Sequence, residues 1–200
     1  MKTVKAKSTD SEARQRILET AKRLFYQQGY LATGINQVIE EAKVAKNTFY
    51  YYFPSKEDLC VAYLEERHEL WNSWLQTKLK GVRDPLKKIL SIFDFVTEWM
   101  KDCKFRGCAF LNIMSEIPET ECKIRAVALK HIDEFHRTIE GLVSDLKLSG
   151  GSYGALNVKE VSRAIYVLAE GSIVGSQGFG DCWPAASARK AAAILLKAGN

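Results

Sequence analysis

The sequence predicts an all-α protein of about nine helices, arranged as an N-terminal three-helix domain (residues 1–54) and a larger helical domain (residues 55–200). Two observations carry that prediction. Apolar residues recur at three- and four-residue spacing along nearly the whole chain, and no stretch shows the period-two alternation of a strand. The interruptions of this pattern fall at glycine, proline and side chains that cap helices.

Taken in order, Thr9 and Glu12 have the spacing of a capping box ahead of Ile17, Ala21, Leu24 and Phe25, and Gly29 is a natural stop. Ile35, Val38, Ile39 and Ala42 then mark a helix of about two turns. Lys43-Val44-Ala45 separates it from a third helix containing "KNTFYYYF". Ser55 with Asp58 at N3 starts a fourth helix running to about Leu79. Asp84-Pro85 starts a fifth, since proline at the first helical position loses no hydrogen bond. This fifth helix carries one apolar stripe through Leu86, Ile89, Phe93, Val96 and Met100 and another through Ile92, Phe95 and Trp99. A helix apolar on two sides is expected to be surrounded. Further helices are expected over Gly107–Glu116, Glu119–Leu148, Asn157–Gln177 and Pro184–Lys197, with a loop at Gly150–Gly154.

Composition narrows the function. Of 200 residues, 46% are hydrophobic and 26% charged, the balance of a soluble globular chain. No apolar run is long enough to span a membrane, and the basic N-terminus lacks the apolar segment of a secretory signal, so a cytoplasmic protein is expected. Five cysteines at irregular spacing, without a CxxC pair, argue for reduced thiols. His68, His131 and His136 do not combine with them at metal-binding spacing, and no nucleophile elbow, phosphate loop or acid–base pair is present. Neither an enzyme nor a metal or cofactor protein is expected.

The net charge of +5 is unevenly placed. Residues 1–56 hold ten Lys and Arg against five Asp and Glu, whereas the remainder holds nineteen of each. A basic first quarter that contains a short helix, a three-residue turn and a second short helix has the layout of a helix-turn-helix. Five successive aromatic rings cannot all be buried on one helix face. Phe49 and Phe53, four residues apart, are expected inward. Tyr50, Tyr51 and Tyr52 are then left outward, beside Lys46, Asn47 and Thr48.

Residues Ser11 to Leu64 resemble the DNA-binding domain of TetR-family transcriptional regulators. The family pattern is roughly G-[FY]-x-x-T, then I-x-x-I-A-x-x-A-G-V-S-K-G-T-L-Y-x-H-F-x-[SN]-K-E-x-L. The stretch "GYLATGINQVIEEAKVAKNTFYYYFPSKEDL" matches it at Gly29, Tyr30, Thr33, Ile35, Ala42, Val44, Lys46, Thr48, Tyr50, Phe53, Ser55, Lys56, Glu57 and Leu59. It departs at Lys43 and Ala45, where the pattern has the turn glycine and the capping serine, and at Asn47 and Tyr52. The resemblance implies phosphate contacts from Thr33, Thr48, Tyr50, Tyr52 and Lys56. It implies base contacts from Lys46, Asn47, Tyr51, Asn36 and Gln37. Lysine suits guanine O6 and N7, and asparagine suits adenine N6 and N7. Lys2, Lys5 and Lys7 are candidates for a flexible basic arm.

Beyond residue 65 the resemblance implies an α-helical regulatory domain with a small-molecule inducer and a homodimer formed by the last two long helices. Ala164, Leu168, Gly171, Ser172 and Gly175 form a stripe suited to close helix approach, as such a dimer requires. Trp71, Trp74, Phe93, Trp99, Phe105, Phe110, Met114, Phe135 and Tyr166 are candidate ligand contacts. "RGCAFLNIMSEIPE" is similar to a regulator subgroup with a Gly-Cys pair before its sixth helix. This makes Cys108 a candidate redox or electrophile sensor, with a small buried packing residue as the other reading. The expected function is a ligand-responsive repressor of a palindromic double-stranded operator.

Overall fold

Periodicity and capping place the helix ends, and the computed structural model, which describes residues 3–198, follows most of them. Nine α-helices occur among the described residues: α1 (Thr3–Gln28), α2 (Ile35–Ala42), α3 (Lys46–Tyr52), α4 (Lys56–Lys80), α5 (Pro85–Asp102), α6 (Ala109–Glu116), α7 (Lys123–Leu148), α8 (Val158–Phe179) and α9 (Trp183–Ala198). A short 3-10 turn, Gly151–Tyr153, lies in the predicted glycine loop, and no strand is present among these residues.

Capping explains several ends. Asp84 accepts from Lys87 N–H at 2.8 Å ahead of Pro85. Ser55 Oγ accepts from Asp58 N–H at 3.0 Å, while its hydroxyl donates to the Asp58 carboxylate at 2.7 Å. Asn157 accepts from Glu160 N–H at 3.4 Å and starts α8, which stops at Gly180 in the left-handed conformation.

Two predicted starts are corrected. Helix α1 begins at Thr3, so Thr9 and Glu12 lie inside it and not at its start. Nothing in Val4–Ser8 breaks a helix, and a local capping motif cannot end one that can still propagate. Lys5 and Lys7, expected in a flexible arm, therefore sit on the helical backbone of α1, and Lys2 lies outside the described residues. Helix α7 begins at Lys123 and not at Glu119. Its first amide donates to the Glu57 carboxylate at 2.9 Å, and Lys123 Nζ pairs with Asp58 at 2.7 Å. A partner distant in sequence fixes that start.

The chain forms two compact units that do not follow sequence order. Residues 1–68 and 109–129 form the first, and residues 69–108 and 130–200 the second. In the first, Ile17, Leu18, Leu24 and Phe25 of α1 meet Val38, Ala42, Phe49 and Phe53 in a buried core completed by Leu59 and Leu64. In the second, both stripes of α5 are buried, as its sequence predicts, except at Leu86, which is half-buried, and α5 packs with α8 and α9.

The α2–α3 turn shows what the two departures from the family pattern cost. Lys43 caps α2 at φ 53°, ψ 50°, the left-handed conformation that glycine adopts freely. Ala45 precedes α3 in extended conformation and offers no side-chain acceptor to its free amides. Lys43→Gly and Ala45→Ser are each expected to raise stability by about 1 kcal/mol, read as higher denaturant midpoints at unchanged slope.

Candidate nucleic-acid interface

Helix α3 divides its aromatic run as a helix must. Phe49 is fully buried and Phe53 is 3% exposed, whereas Tyr51 is 74% exposed and Tyr50 40%. Phe49 meets Tyr50 edge-on at 5.2 Å and Phe53 at 6.3 Å, so the buried rings also orient an outward one. Lys46 and Asn47 are exposed at the start of α3, and Thr48 and Tyr52 are half-buried beside them. Tyr51 and Tyr52 pack edge to face at 4.9 Å. The result is a rigid aromatic ridge with a cation and an amide at one end. Such a surface offers donors to phosphates and base edges.

The flanking residues are held by a small polar network. Gln37 is tied to Gln28 at 2.8 Å and to Glu41 at 2.9 Å, while Asn36 is exposed. Arg16 Nε donates to Ala42 O at 3.2 Å, taking one of the carbonyls left free at the end of α2, and Arg23 pairs with Glu41. Lys56 Nζ sits 4.3 Å from the centre of the Tyr30 ring and 3.4 Å from Leu31 O. Burial lowers its pKa from the usual lysine value. Thr33 departs from its expected phosphate contact. It is fully buried, and its hydroxyl donates to Gly29 O at 2.7 Å. Its side chain fastens the α1–α2 loop from inside and is closed to DNA.

Two sequence comparisons agree with this geometry. The family profile described as "Bacterial regulatory proteins, tetR family" matches residues 17–63, and "Tetracyclin repressor-like, C-terminal domain" matches residues 85–192. The chain belongs to the TetR family. It carries the helix-turn-helix domain and the C-terminal domain of this family of DNA-binding transcriptional regulators. Among relatives of this TetR-family protein, an uncharacterised HTH-type transcriptional regulator in the lacX 3′ region of Lactococcus lactis is 28% identical over 67% of this chain and 64% of its own length. The HTH-type transcriptional repressor NemR of Escherichia coli is 25% identical over 72% of this chain and 71% of its own. The match spans only 44% of YuxN and 63% of YxaF, both HTH-type regulators of Bacillus subtilis. The crystal structure of SCO4454, a TetR-family regulator from Streptomyces coelicolor, superposes with a TM-score of 0.82 at 25% identity, covering 94% of this chain and 95% of that one.

The second unit of this TetR-family chain gathers some of the predicted ligand contacts and scatters others. Trp71 meets Phe95, Trp99, His131 and Phe135 edge to face, and Phe135 meets Tyr166 at 5.9 Å. This continuous aromatic cluster contains four of the predicted residues. Phe93 is fully buried on α5, and Phe105 is half-buried in the left-handed region at φ 58°. Trp74, 40% exposed, lines a surface recess of about 460 Å³ with Phe95, Trp99 and the charged Lys78, Glu98 and Asp102. Phe110 (buried) and Met114 (half-buried) belong to α6, in the first unit.

Two residues of the cluster had no signal in the sequence. Glu170 and His136 border Tyr166, whose ring meets His136 at 5.5 Å and whose hydroxyl lies close enough to Glu170 to influence its ionisation. Glu170 Oε2 and His136 Nε2 are buried without a hydrogen-bond partner. Burial raises the Glu170 pKa from the usual carboxyl value, and the nearby Tyr166 hydroxyl offsets only part of that.

The predicted small-residue stripe on α8 serves two ends. Ser172 is buried with its hydroxyl on Ala169 O at 2.7 Å, and a Cβ at Gly175 would lie 3.0 Å from Pro184 of α9. Both pack α8 within the chain. Gly171 instead is exposed with open space above it, and Ala164 and Leu168 are half-buried. Val167 (65% exposed), Val174 (54%), Phe179 (67%) and Trp183 (50%) extend an apolar outward face around it.

Proposed function

We propose that this regulator is a homodimeric repressor that occupies a palindromic operator and is released by a small-molecule inducer. The apolar outward face of α8 and α9 carries the reading. Large exposed apolar patches on a soluble domain mark association surfaces, and a continuous one on two packed helices suits a second copy of itself. Dimerisation presents two copies of the Lys46–Tyr52 face, as recognition of two half-sites requires. The aromatic cluster of the second unit, with unpartnered polar atoms at Glu170 and His136, supports an interior that accepts a ligand. The relative NemR is itself named a repressor.

The roles assigned along the DNA-facing surface are Lys46, Asn47 and Tyr51 toward base edges, flanked by Asn36 and Gln37. Thr48, Tyr50, Tyr52 and Lys56 are assigned to phosphates. Selection from a random duplex library by the purified protein is expected to enrich a palindrome with half-sites about one helical turn apart. Lys46→Ala is expected to relax base preference at one position and weaken binding by about tenfold. Tyr50→Ala is expected to weaken all sequences alike. Enrichment of no duplex, or unchanged selection by Lys46→Ala, would refute these assignments. Small molecules that raise the melting temperature should then release the selected duplex, and stabilisation without release would count against induction.

A cysteine-sensing regulator is the other reading, and NemR has been crystallised in a form described as reduced. Cys108 is only 6% exposed, whereas reactive thiols are accessible to solvent. The ligand-responsive reading therefore has the greater support.

A further inference from the structure

The α1–α2 loop, Gly29–Gly34, sets the direction in which the chain enters the helix-turn-helix. Its end is weakly defined by local means, because Gly34 occupies the cap of α2 and supplies no side-chain acceptor. Leu31 in the middle of this loop is 64% exposed, so burial does not hold it. Its backbone is held instead. The Leu31 N–H donates to Glu116 Oε2 at 2.7 Å, and Lys56 Nζ lies 3.4 Å from the Leu31 carbonyl. Glu116 ends α6 and is distant from Leu31 in sequence, yet both lie in the first compact unit.

Gly29 is shaped to this contact. It adopts φ +100°, and a Cβ built on it would lie 2.9 Å from Glu116 Oε1 and 3.0 Å from Oε2. A side chain there would push the carboxylate off the loop. Thr33 braces the same turn from within through its bond to Gly29 O. The loop is thus gripped on the Leu31 N–H by α6, on its carbonyl by α4 and from inside by Thr33.

We propose that Glu116 is a positioning residue for DNA binding, fixing the α1–α2 loop, and through it α2 and the recognition helix α3, by accepting the Leu31 N–H. This goes beyond the repressor reading and needs only the DNA-binding role of the first unit. Glu116 touches no base or phosphate in this role. It makes the end of α6 part of the apparatus that orients the helix-turn-helix.

The test uses the full chain and a duplex selected by the wild-type protein, with affinity measured by fluorescence anisotropy across a salt series. Glu116→Ala is expected to weaken binding by roughly five- to tenfold, the size of one typical lost hydrogen bond. Its salt slope should stay unchanged, because no phosphate contact is lost. Glu116→Gln retains an acceptor oxygen and is expected to bind at least as well as wild type. Deleting an anion near DNA would by itself tighten both variants, so a loss with Ala alone separates positioning from charge. Hydrogen exchange without DNA should show the Leu31 amide deprotected in Glu116→Ala and protected in Glu116→Gln. Should Glu116→Ala fail to fold, Glu116→Asp keeps the charge but draws the carboxylate back from the Leu31 N–H, and is expected to give the same loss. Wild-type affinity with any variant that deprotects Leu31, or equal tightening by Ala and Gln, would overturn the proposal. If the wild type selects no duplex, the operator reading fails. The proposal then stands or falls on the same comparison made with an unselected duplex at low salt.

Discussion

Gly171→Glu is expected to leave a folded monomer that has lost operator binding by two to four orders of magnitude, the advantage that linking two binding heads confers. The position separates folding from assembly unusually well. A Cβ at Gly171 meets nothing within 4 Å in the monomer, so a side chain enters open space. Replacing a mid-helix glycine also removes a helix penalty of about 1 kcal/mol. Nothing in the isolated chain opposes the substitution. On the apolar face formed with Val167, Val174, Phe179 and Trp183, however, two glutamates brought together by a twofold axis would be desolvated and mutually repulsive. Analytical ultracentrifugation should show a monomer with an unchanged circular dichroism spectrum, and anisotropy should show weak binding. A dimer that persists at micromolar concentration would place the interface elsewhere on the molecule.

Phe49→Ala is expected to destabilise the first unit by about 3–5 kcal/mol, since it removes a fully buried ring against which Tyr50 and Phe53 pack. Domains are stable by only about 5–15 kcal/mol, so much of that margin disappears. Helix α3 has seven residues and cannot persist without tertiary support. Loss of Phe49 should therefore abolish operator binding through unfolding. Denaturant titration should resolve an early transition for the first unit. Tyr50→Ala provides the contrast. With its side chain 40% exposed, it should shift the midpoint little while still weakening DNA binding. If Phe49→Ala melts at the wild-type midpoint, the assignment of inward and outward faces on α3 is wrong.

The helix inventory was readable because helices are specified locally. Asp84-Pro85, Ser55 with Asp58, and Asn157 each cap with atoms three or fewer residues away, and the structure places a helix after each. The two starts that departed show the limit of local reading. Thr9 and Glu12 have capping spacing, but a residue caps only where the chain before it leaves the helix. Helix α7 starts where Glu57, a residue far away in sequence, meets Lys123.

The sequence by itself determined the class of fold, the family and the division of α3, because periodicity decides which of Phe49 to Phe53 face inward. It also marked Lys43 and Ala45 as exceptions, and the left-handed backbone at Lys43 follows from the turn that the position must make. Only the tertiary structure decided that Thr33 fastens a loop from inside, that Gly175 packs within the chain while Gly171 faces outward, and that Glu116 holds Leu31. It alone also brought Glu170 and His136 to Tyr166. The physical reason is the range of the interactions. Helix period and capping act over a few residues and are written in the local order of the chain. Burial, a carboxylate on a distant amide and a small residue under a proline depend on which segments meet, and that is settled only when the core forms.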